Sequence, residues 1–220
     1  SSLSRASTLT SKMIVTPEEI ERRAQITSDT SGGIIPYVEV FHISSILYSA
    51  ERCLEAFEQF EERIQSEAPA PELVSSVQEA VIHAAAVSRY FWPSPMGKKK
   101  EPEYKRMKAL RGEKLRTAFC LDETSALYDR ELRNAWEHFD ERLDRYFLAA
   151  SAGQFFPDPV IGSHTLADNP VQHYLKLLDT DAHCLVLLGA KHYYEEIRDS
   201  IQTVAEKARE LYEAGGRLPR

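Results

Sequence analysis

The stretch "ELRNAWEHFDERLD" at positions 131–144 decides the interpretation of the fold, because its apolar residues recur at helical spacing. Counting a little past its end, the apolar positions are Leu132, Trp136, Phe139, Leu143 and Phe147. An α-helix places residues at this spacing on one face, so we expect that face to be buried and the charged face to be exposed. The residues DETS at 122–125 predict the start of this helix, and we expect it to continue to about Ala150.

Upstream of this stretch, prolines and capping residues divide the chain into further helical segments. We expect these segments to begin at Thr16, Pro36, Pro71 and Pro102. Residues 1–15 are rich in serine and threonine and predict a disordered tail. The sequence therefore predicts a helical bundle over residues 16–150.

The residue composition and the spacing of apolar residues change after residue 150. A loop rich in Gly, Pro and Asp is followed by "VQHYLKLLD" and "HCLVLLGAKHY", which predict two strands of an antiparallel hairpin joined by "TDA". The segment "VIGSHTL" is a candidate third strand, and a last amphipathic helix runs from Tyr194 to Gly215. The predicted class is mainly α, with a small antiparallel sheet before a C-terminal helix. We expect residues 151–220 to pack on the same domain as the bundle.

The composition limits the classes of function. The hydrophobic content of 43% is typical of a globular protein, and the net charge of −7 argues against a dedicated binder of duplex DNA. The three cysteines form no C-x-x-C pair, so they suggest neither a zinc ribbon nor a disulfide framework and are typical of a cytoplasmic protein. The most apolar run, "CLVLLGA" at 184–190, is too short to cross a bilayer, so no membrane association is expected.

Basic residues concentrate in one segment. Positions 98–116 contain nine Lys or Arg and three Glu, a local net charge of +6 in a chain whose net charge is −7. Such a segment can bind RNA phosphates, and it can equally be a solvated loop. The candidate RNA-binding residues are Lys98, Lys99, Lys100, Arg111 and Arg116.

Arg133, Asn134 and His138 are the candidate catalytic residues. On a straight helix Asn134 and His138 lie one turn apart on one face, whereas Arg133 and His138 lie about 140° apart. Arg133 and His138 can therefore act on one atom only if Arg133 lies near a bend in the helix, or if a second chain supplies the facing partner.

These residue types suit the cleavage of RNA by its own ribose 2′-hydroxyl. Such a reaction needs a group that moves a proton, and an imidazole titrates near neutral pH. It also needs a fixed cation beside the phosphate, which a guanidinium supplies, so a metal is not required. Asn134 is expected to hold the ribose or the phosphate, or to orient His138.

The sequence RNAWEH at 133–138 resembles the motif of the HEPN superfamily, in which an Arg is followed by a polar residue and, after a short interval, by a His. The resemblance covers about residues 36–150. It implies a helical bundle, a metal-independent endoribonuclease without a cofactor, and a homodimer in which two motifs line one cleft. It also implies a role in toxin–antitoxin or anti-phage systems. Other members of the superfamily bind nucleotides or have lost activity.

Alternative interpretations remain open. Arg133 and Glu137 at i and i+4 can form an ordinary surface ion pair. The protein would then be a catalytically inactive binding or assembly module, with an antitoxin or a defence-system protein as its partner. A nucleotide-binding domain is a third, weaker interpretation. Four histidines at 164, 173, 183 and 192 match no pattern of metal ligands, although His173 and His183 are expected to face each other across the hairpin.

Overall fold

A computed structural model describes residues 15–94, 101–150 and 152–220. It confirms a mainly α protein, with seven α-helices in these ranges and a small amount of β-sheet. The predicted tail at 1–15 falls almost wholly outside the described residues, and so do Lys98, Lys99 and Lys100. Within the described part of the chain, no helix is both long and apolar enough to cross a membrane.

The first four helices lie close to where the sequence predicts them. Pro36 opens a 3-10 turn that leads into the second helix, so this predicted start is confirmed as the beginning of a composite element. The first helix carries the expected cap, since the Thr16 hydroxyl accepts a hydrogen bond from the Glu19 N–H. The helices are α1 (Pro17–Ser31), α2 (Glu39–Gln65), α3 (Ala70–Phe91), α4 (Pro102–Phe119), α5 (Glu131–Glu137), α6 (Phe139–Ala149) and α7 (Glu195–Glu213).

The predicted single helix from DETS to Ala150 is wrong at two points. Residues 122–130 form turns, because the Asp122 carboxylate accepts the backbone N–H of Thr124 at 2.8 Å and so closes a local turn instead of a helix. The helix begins only at Glu131, whose N–H donates to the Asp129 carboxylate. It then breaks at His138, where φ is −118° and ψ is 33°, and α6 follows. The motif therefore lies on a short helix and at a helix junction.

The main core lies where α2 packs against α3 on one side and against α7 on another. Helical spacing turns the apolar positions of the three helices toward each other. Its fully buried members include Ile43, Ile46, Ala50, Cys53, Phe57, Val77, Ala80, Val87, Ile201 and Ala208.

The β-region contains the predicted hairpin, and its sheet is mixed instead of purely antiparallel. The hairpin is β4–β5, which continues antiparallel into β6, while β2 joins β4 in parallel and β1 pairs with β3 in parallel. The strands are β1 (Gln154–Phe156), β2 (Val160–Ile161), β3 (Gln172–Tyr174), β4 (Lys176–Asp179), β5 (Cys184–Leu187) and β6 (Ala190–Tyr193).

Two local features divide the predicted strands. A turn at Leu188 and Gly189, both with positive φ, separates β5 from β6. In "VIGSHTL", only Val160–Ile161 is a strand, and residues His164–Asp168 form a 3-10 turn. The sheet nevertheless lies between two apolar clusters, because alternate residues point to opposite faces. Leu178, Leu185 and Leu187 join the main core, whereas Leu177, Cys184 and Val186 form a second cluster.

The C-terminal end of α3 is held by groups from α4 and from the turns before α5. Arg116 donates a hydrogen bond to the Phe91 carbonyl and Arg130 donates one to the Trp92 carbonyl. Further back, the Ser88 hydroxyl donates to a backbone carbonyl of the same turns at 2.7 Å. The two arginine bonds satisfy carbonyls that the end of α3 leaves without partners, and the bonds of Arg130 and Ser88 fix the turns before α5 beside α3.

Candidate active site at the α5–α6 junction

The three motif residues occupy two different environments. Arg133 and Asn134 lie on α5 and are half-buried, whereas His138 lies at the junction with α6. The Arg133 side chain is 19% exposed and the His138 side chain is 57% exposed. The arginine is therefore held within the protein, and the imidazole is open to solvent.

Neighbours on α5 hold the Arg133 guanidinium in place. Its Nη2 and Nε donate to the Asn134 Oδ1 at 2.8 and 3.2 Å, and its Nε lies 3.5 Å from a carboxylate oxygen of Glu137. Asn134 is predicted to hold the ribose or the phosphate, or to orient His138. In the structure its Oδ1 accepts from Arg133, so this oxygen positions the arginine.

The same Glu137 carboxylate binds a second arginine from α3. Arg89 Nη2 donates to Glu137 Oε1 at 2.8 Å, so Glu137 bridges Arg89 and Arg133. Burial lowers the pKa of the Arg133 guanidinium from its ordinary value, Glu137 raises it, and the nearby cations Arg89 and Arg130 lower it again. An arginine remains charged under all these influences, and two guanidinium groups here, those of Arg89 and Arg133, share the Glu137 carboxylate.

His138 has a different kind of neighbourhood. Its Nδ1 lies 3.8 Å from a carboxylate oxygen of Glu141, which is too far for a hydrogen bond. The irregular backbone falls at His138 itself, whose N–H still bonds the Asn134 carbonyl as in a helix. Arg133 and His138 therefore keep the angular separation of a straight helix within one chain, and a second chain is the remaining way to bring both groups to one atom.

Several basic residues of the segment 98–116 form ion pairs within the protein, so fewer cations are available to bind RNA than the composition suggests. Arg106 pairs with Asp29 of α1 at 2.8 Å, and Lys114 pairs with Glu39 of α2 at 2.9 Å. Arg116 contacts the Phe91 carbonyl and lies over the Trp92 ring, so it has a structural contact at the end of α3. Of the candidate RNA-binding residues that the structure describes, Arg111 alone lacks an ion pair or hydrogen-bonded partner among the described residues.

Three of the four histidines of the β-region have separate side-chain partners, whereas the buried Nε2 of His192 has no hydrogen-bond partner among the described residues. His164 Nδ1 lies 2.7 Å from Asp179, His173 bonds the Tyr146 hydroxyl at 2.7 Å, and His183 pairs with Glu195 at 2.6 Å. The expectation that His173 faces His183 is wrong, since His173 lies opposite Phe155 of β1. In the described ranges, no group of three or more His, Cys, Asp or Glu is placed to hold a metal ion.

The sequence does not predict one contributor to the site, Arg89, nor one ion pair of the β-region, Asp179–His164. Arg89 lies 48 residues before Glu137 in the chain, so no local spacing connects them. The Asp179–His164 pair is also separated in sequence, and it forms only when β4 and the 3-10 turn come together. Such contacts are set by the tertiary fold.

Comparison with known proteins adds no relative: no family model, no curated protein and no solved structure matches the chain. The geometry of the α5–α6 junction and the chemistry of its residues therefore carry the functional interpretation.

Proposed function

We propose that this protein is a metal-independent endoribonuclease of the kind that the HEPN-like motif implies. The proposal rests on one observation about two side chains that lie five residues apart in the sequence. Arg133 is held in place by Asn134, and His138 is exposed at the α5–α6 junction. A fixed cation and an accessible imidazole are the two groups that cleavage by a ribose 2′-hydroxyl requires.

The proposed reaction is an internal transfer of a phosphoryl group. His138 accepts the proton of the 2′-hydroxyl while the 2′-oxygen forms a bond to the adjacent phosphorus. The bond from phosphorus to the 5′-oxygen breaks, that oxygen takes up a proton from solvent water, and His138 returns its proton to solvent. The products are a 2′,3′-cyclic phosphate and a 5′-hydroxyl. No electron is transferred and no co-reactant is consumed.

Arg133 is proposed to stabilise the negative charge that grows on the phosphate oxygens. A guanidinium that is already fixed by Asn134 needs little reorganisation when this charge develops, which is the property that makes such groups effective. Asn134 therefore acts through Arg133 as a positioning residue.

We further propose that the active form is a homodimer. Arg133 is largely buried on α5 while His138 faces solvent, so the imidazole of one chain is free to approach the arginine of another. A symmetric dimer would bring two motifs to one cleft. We place it in the cytosol, because all three cysteines are free thiols, and we propose an antitoxin or another defence-system protein as its regulator.

The test compares cleavage of a defined RNA by the wild-type protein and by Arg133→Ala and His138→Ala. Each variant should lose cleavage while circular dichroism shows the wild-type helical content. His83→Ala is the matched control, since it removes a histidine from α3 that has no role in the proposal. The same RNA carrying 2′-deoxyribose should resist the wild-type enzyme, and cleavage of that substrate would contradict the mechanism.

A second candidate function is a catalytically inactive binding or assembly module. It is favoured by exposed aromatic residues, namely Phe41 and Tyr48 of α2 and Tyr37 of the 3-10 turn before it. The seven-residue spacing of Phe41 and Tyr48 places these two on one side of the helix. The acidic neighbours Glu137 and Glu141 also reduce the attraction of the motif for RNA. A module of this kind would capture a protein partner from its native host and show no turnover of RNA.

A further inference from the structure

A separate cleft lies between α2, α3 and α4. It has a volume of about 320 Å³ and is lined by Ser49, Ala86, Arg89, Tyr90 and Arg111. The size is at the lower end of that of ligand-binding pockets. The lining brings together two guanidinium groups, an aromatic ring and a hydroxyl, and it includes no carboxylate.

Arg111 is the unusual group of this cleft. Its Nε is buried without a hydrogen-bond acceptor, and no carboxylate pairs with it among the described residues. Burial lowers the pKa of its guanidinium, and the phenols of Tyr104 and Tyr90 act in the opposite direction. A partly buried cation without an anion is costly, so this position is suited to an anion that the protein itself does not supply.

Two further cationic or titratable groups lie in the cleft or beside it. Arg89 lines the cleft from α3. It forms an ion pair with Glu137, and both side chains of this pair are exposed to solvent. His42 of α2 packs edge-on against the Tyr90 ring at 6.0 Å, and the charge on Arg111 helps to lower the pKa of this histidine. The ligand that matches two guanidinium groups, with an imidazole beside them, is a dianion.

We propose that this cleft binds the phosphate group of a phosphomonoester. Such a group carries close to two negative charges and three strong acceptor oxygens, and planar guanidinium groups match its geometry with paired hydrogen bonds. The Tyr90 ring then forms a wall for the organic part of the ligand, which a simple inorganic anion would leave unused.

The phosphate cleft shares Arg89 with the surroundings of the Arg133–His138 site but is tested separately. Arg89 touches both regions through Glu137, yet binding in the cleft does not require cleavage of RNA. A protein that cleaves no RNA can still bind the phosphomonoester, and the His138→Ala variant should bind it as the wild type does.

The experiment is titration calorimetry at low salt with inorganic phosphate, adenosine 5′-monophosphate and adenosine. We expect the two phosphates to bind and adenosine not to bind. Arg111→Gln and Arg89→Gln should each weaken the affinity for adenosine 5′-monophosphate by about tenfold or more, the effect of losing a charge-assisted hydrogen bond. Arg22→Gln, which removes an exposed arginine from α1, is the control and should bind as the wild type does.

Short RNA strands with and without a 5′-phosphate identify the source of the phosphate. Preference for the phosphorylated strand over adenosine 5′-monophosphate assigns the cleft to an RNA end, and the reverse preference assigns it to a small metabolite. The proposal is overturned if adenosine binds as tightly as its monophosphate, or if Arg111→Gln and Arg89→Gln bind as Arg22→Gln does. Arg89 is exposed, so we expect Arg89→Gln to fold. This variant still tests the proposal if Arg111→Gln unfolds.

Discussion

The guanidinium of Arg133 depends on a single neighbouring oxygen for most of its orientation. Two of its nitrogens donate to Asn134 Oδ1, while the contact with Glu137 is longer, at 3.5 Å. The side chain next to a candidate catalytic residue therefore has a measurable part in its geometry.

This leads to a prediction about Asn134. Asn134→Ala should lower kcat by about tenfold with little change in KM, because the arginine remains and only its orientation is relaxed. Arg133→Ala should lower kcat by about a hundredfold or more. Single-turnover rates on a defined RNA measure both. A larger defect for Asn134→Ala than for Arg133→Ala would mean that the asparagine contacts the substrate directly.

The three thiols differ in accessibility. Burial raises the pKa of Cys53 to about 12 and also raises the pKa of Cys184, whereas Cys120 is exposed at the end of α4. Since thiolates react and thiols do not, we expect one fast-reacting group per chain in the native protein at pH 8 and three after denaturation. Cys120→Ser should abolish the fast phase. A fast phase that survives in this variant would place a second thiol at the surface.

At the scale of elements, α4 packs so closely on the loop before α2 that a single glycine is required. Gly33 has a φ of +86°, and a Cβ there would lie 2.5 Å from both the Arg111 nitrogen and the Met107 oxygen. Both are backbone atoms of a helix, so neither can move alone. This contact sets the position of α4, and with it the position of Arg111 in the phosphate cleft.

Gly33→Ala should therefore be much more damaging than an equivalent change elsewhere. Gly215 also has a positive φ, of +104°, but a Cβ there meets no atom within 4 Å. Gly215→Ala should cost about 1 kcal/mol of unfolding free energy, and Gly33→Ala should cost about 2 kcal/mol more. Urea denaturation measures both. Equal losses in the two variants would show that the approach of α4 is looser than described.

The end of β4 carries an ionic contact that predicts a pH dependence. The buried Asp179 carboxylate accepts the backbone N–H groups of His164, Asp181 and Ala182 and the ring nitrogen of His164. The bonds to backbone N–H groups are the main cause that lowers the pKa of Asp179 to about 2. A carboxyl whose pKa is lowered by folding stabilises the native state above its unfolded pKa of about 4. That contribution is lost as the pH falls from about 4 to about 2.

Asp179→Asn should remove this part of the pH dependence while it retains the shape of the side chain. We expect the variant to be less stable than the wild type at pH 7 and the difference to shrink as the pH falls toward 2. Melting temperatures measured between pH 2 and pH 7 test this. A constant difference across that range would mean that the charge of Asp179 contributes nothing to stability.

At the scale of the whole molecule, local patterns account for the helices better than for the site. Prolines and a hydroxyl cap are local signals, and they predict the starts of α1 to α4 well. The helix break at His138 has no such signal, since the apolar spacing continues through it to Phe147. The bridge from Arg89 to Glu137 and the parallel addition of β2 to β4 are contacts between distant segments, which spacing along one segment does not predict.

The proposed dimer gives a prediction for mixed assemblies. A single chain of 25.0 kDa should behave in light scattering as a particle of twice that mass. Suppose that each of the two active sites takes Arg133 from one chain and His138 from the other. When Arg133→Ala and His138→Ala chains are co-expressed, half of the dimers are mixed, and each mixed dimer has one intact site of two. The mixture should therefore show about a quarter of the wild-type cleavage. No recovery in a confirmed mixed dimer would place both groups in one chain.

The central claim is that Arg133 and His138 cleave RNA without a metal, and one measurement tests it most directly. Purified wild-type protein and the His138→Ala variant are incubated with total RNA in EDTA, and the RNA is resolved on a denaturing gel. We predict cleavage by the wild type and none by a variant with the same circular dichroism spectrum. Intact RNA in both samples, or equal cleavage in both, would contradict the assignment of the α5–α6 junction as a metal-independent nuclease site.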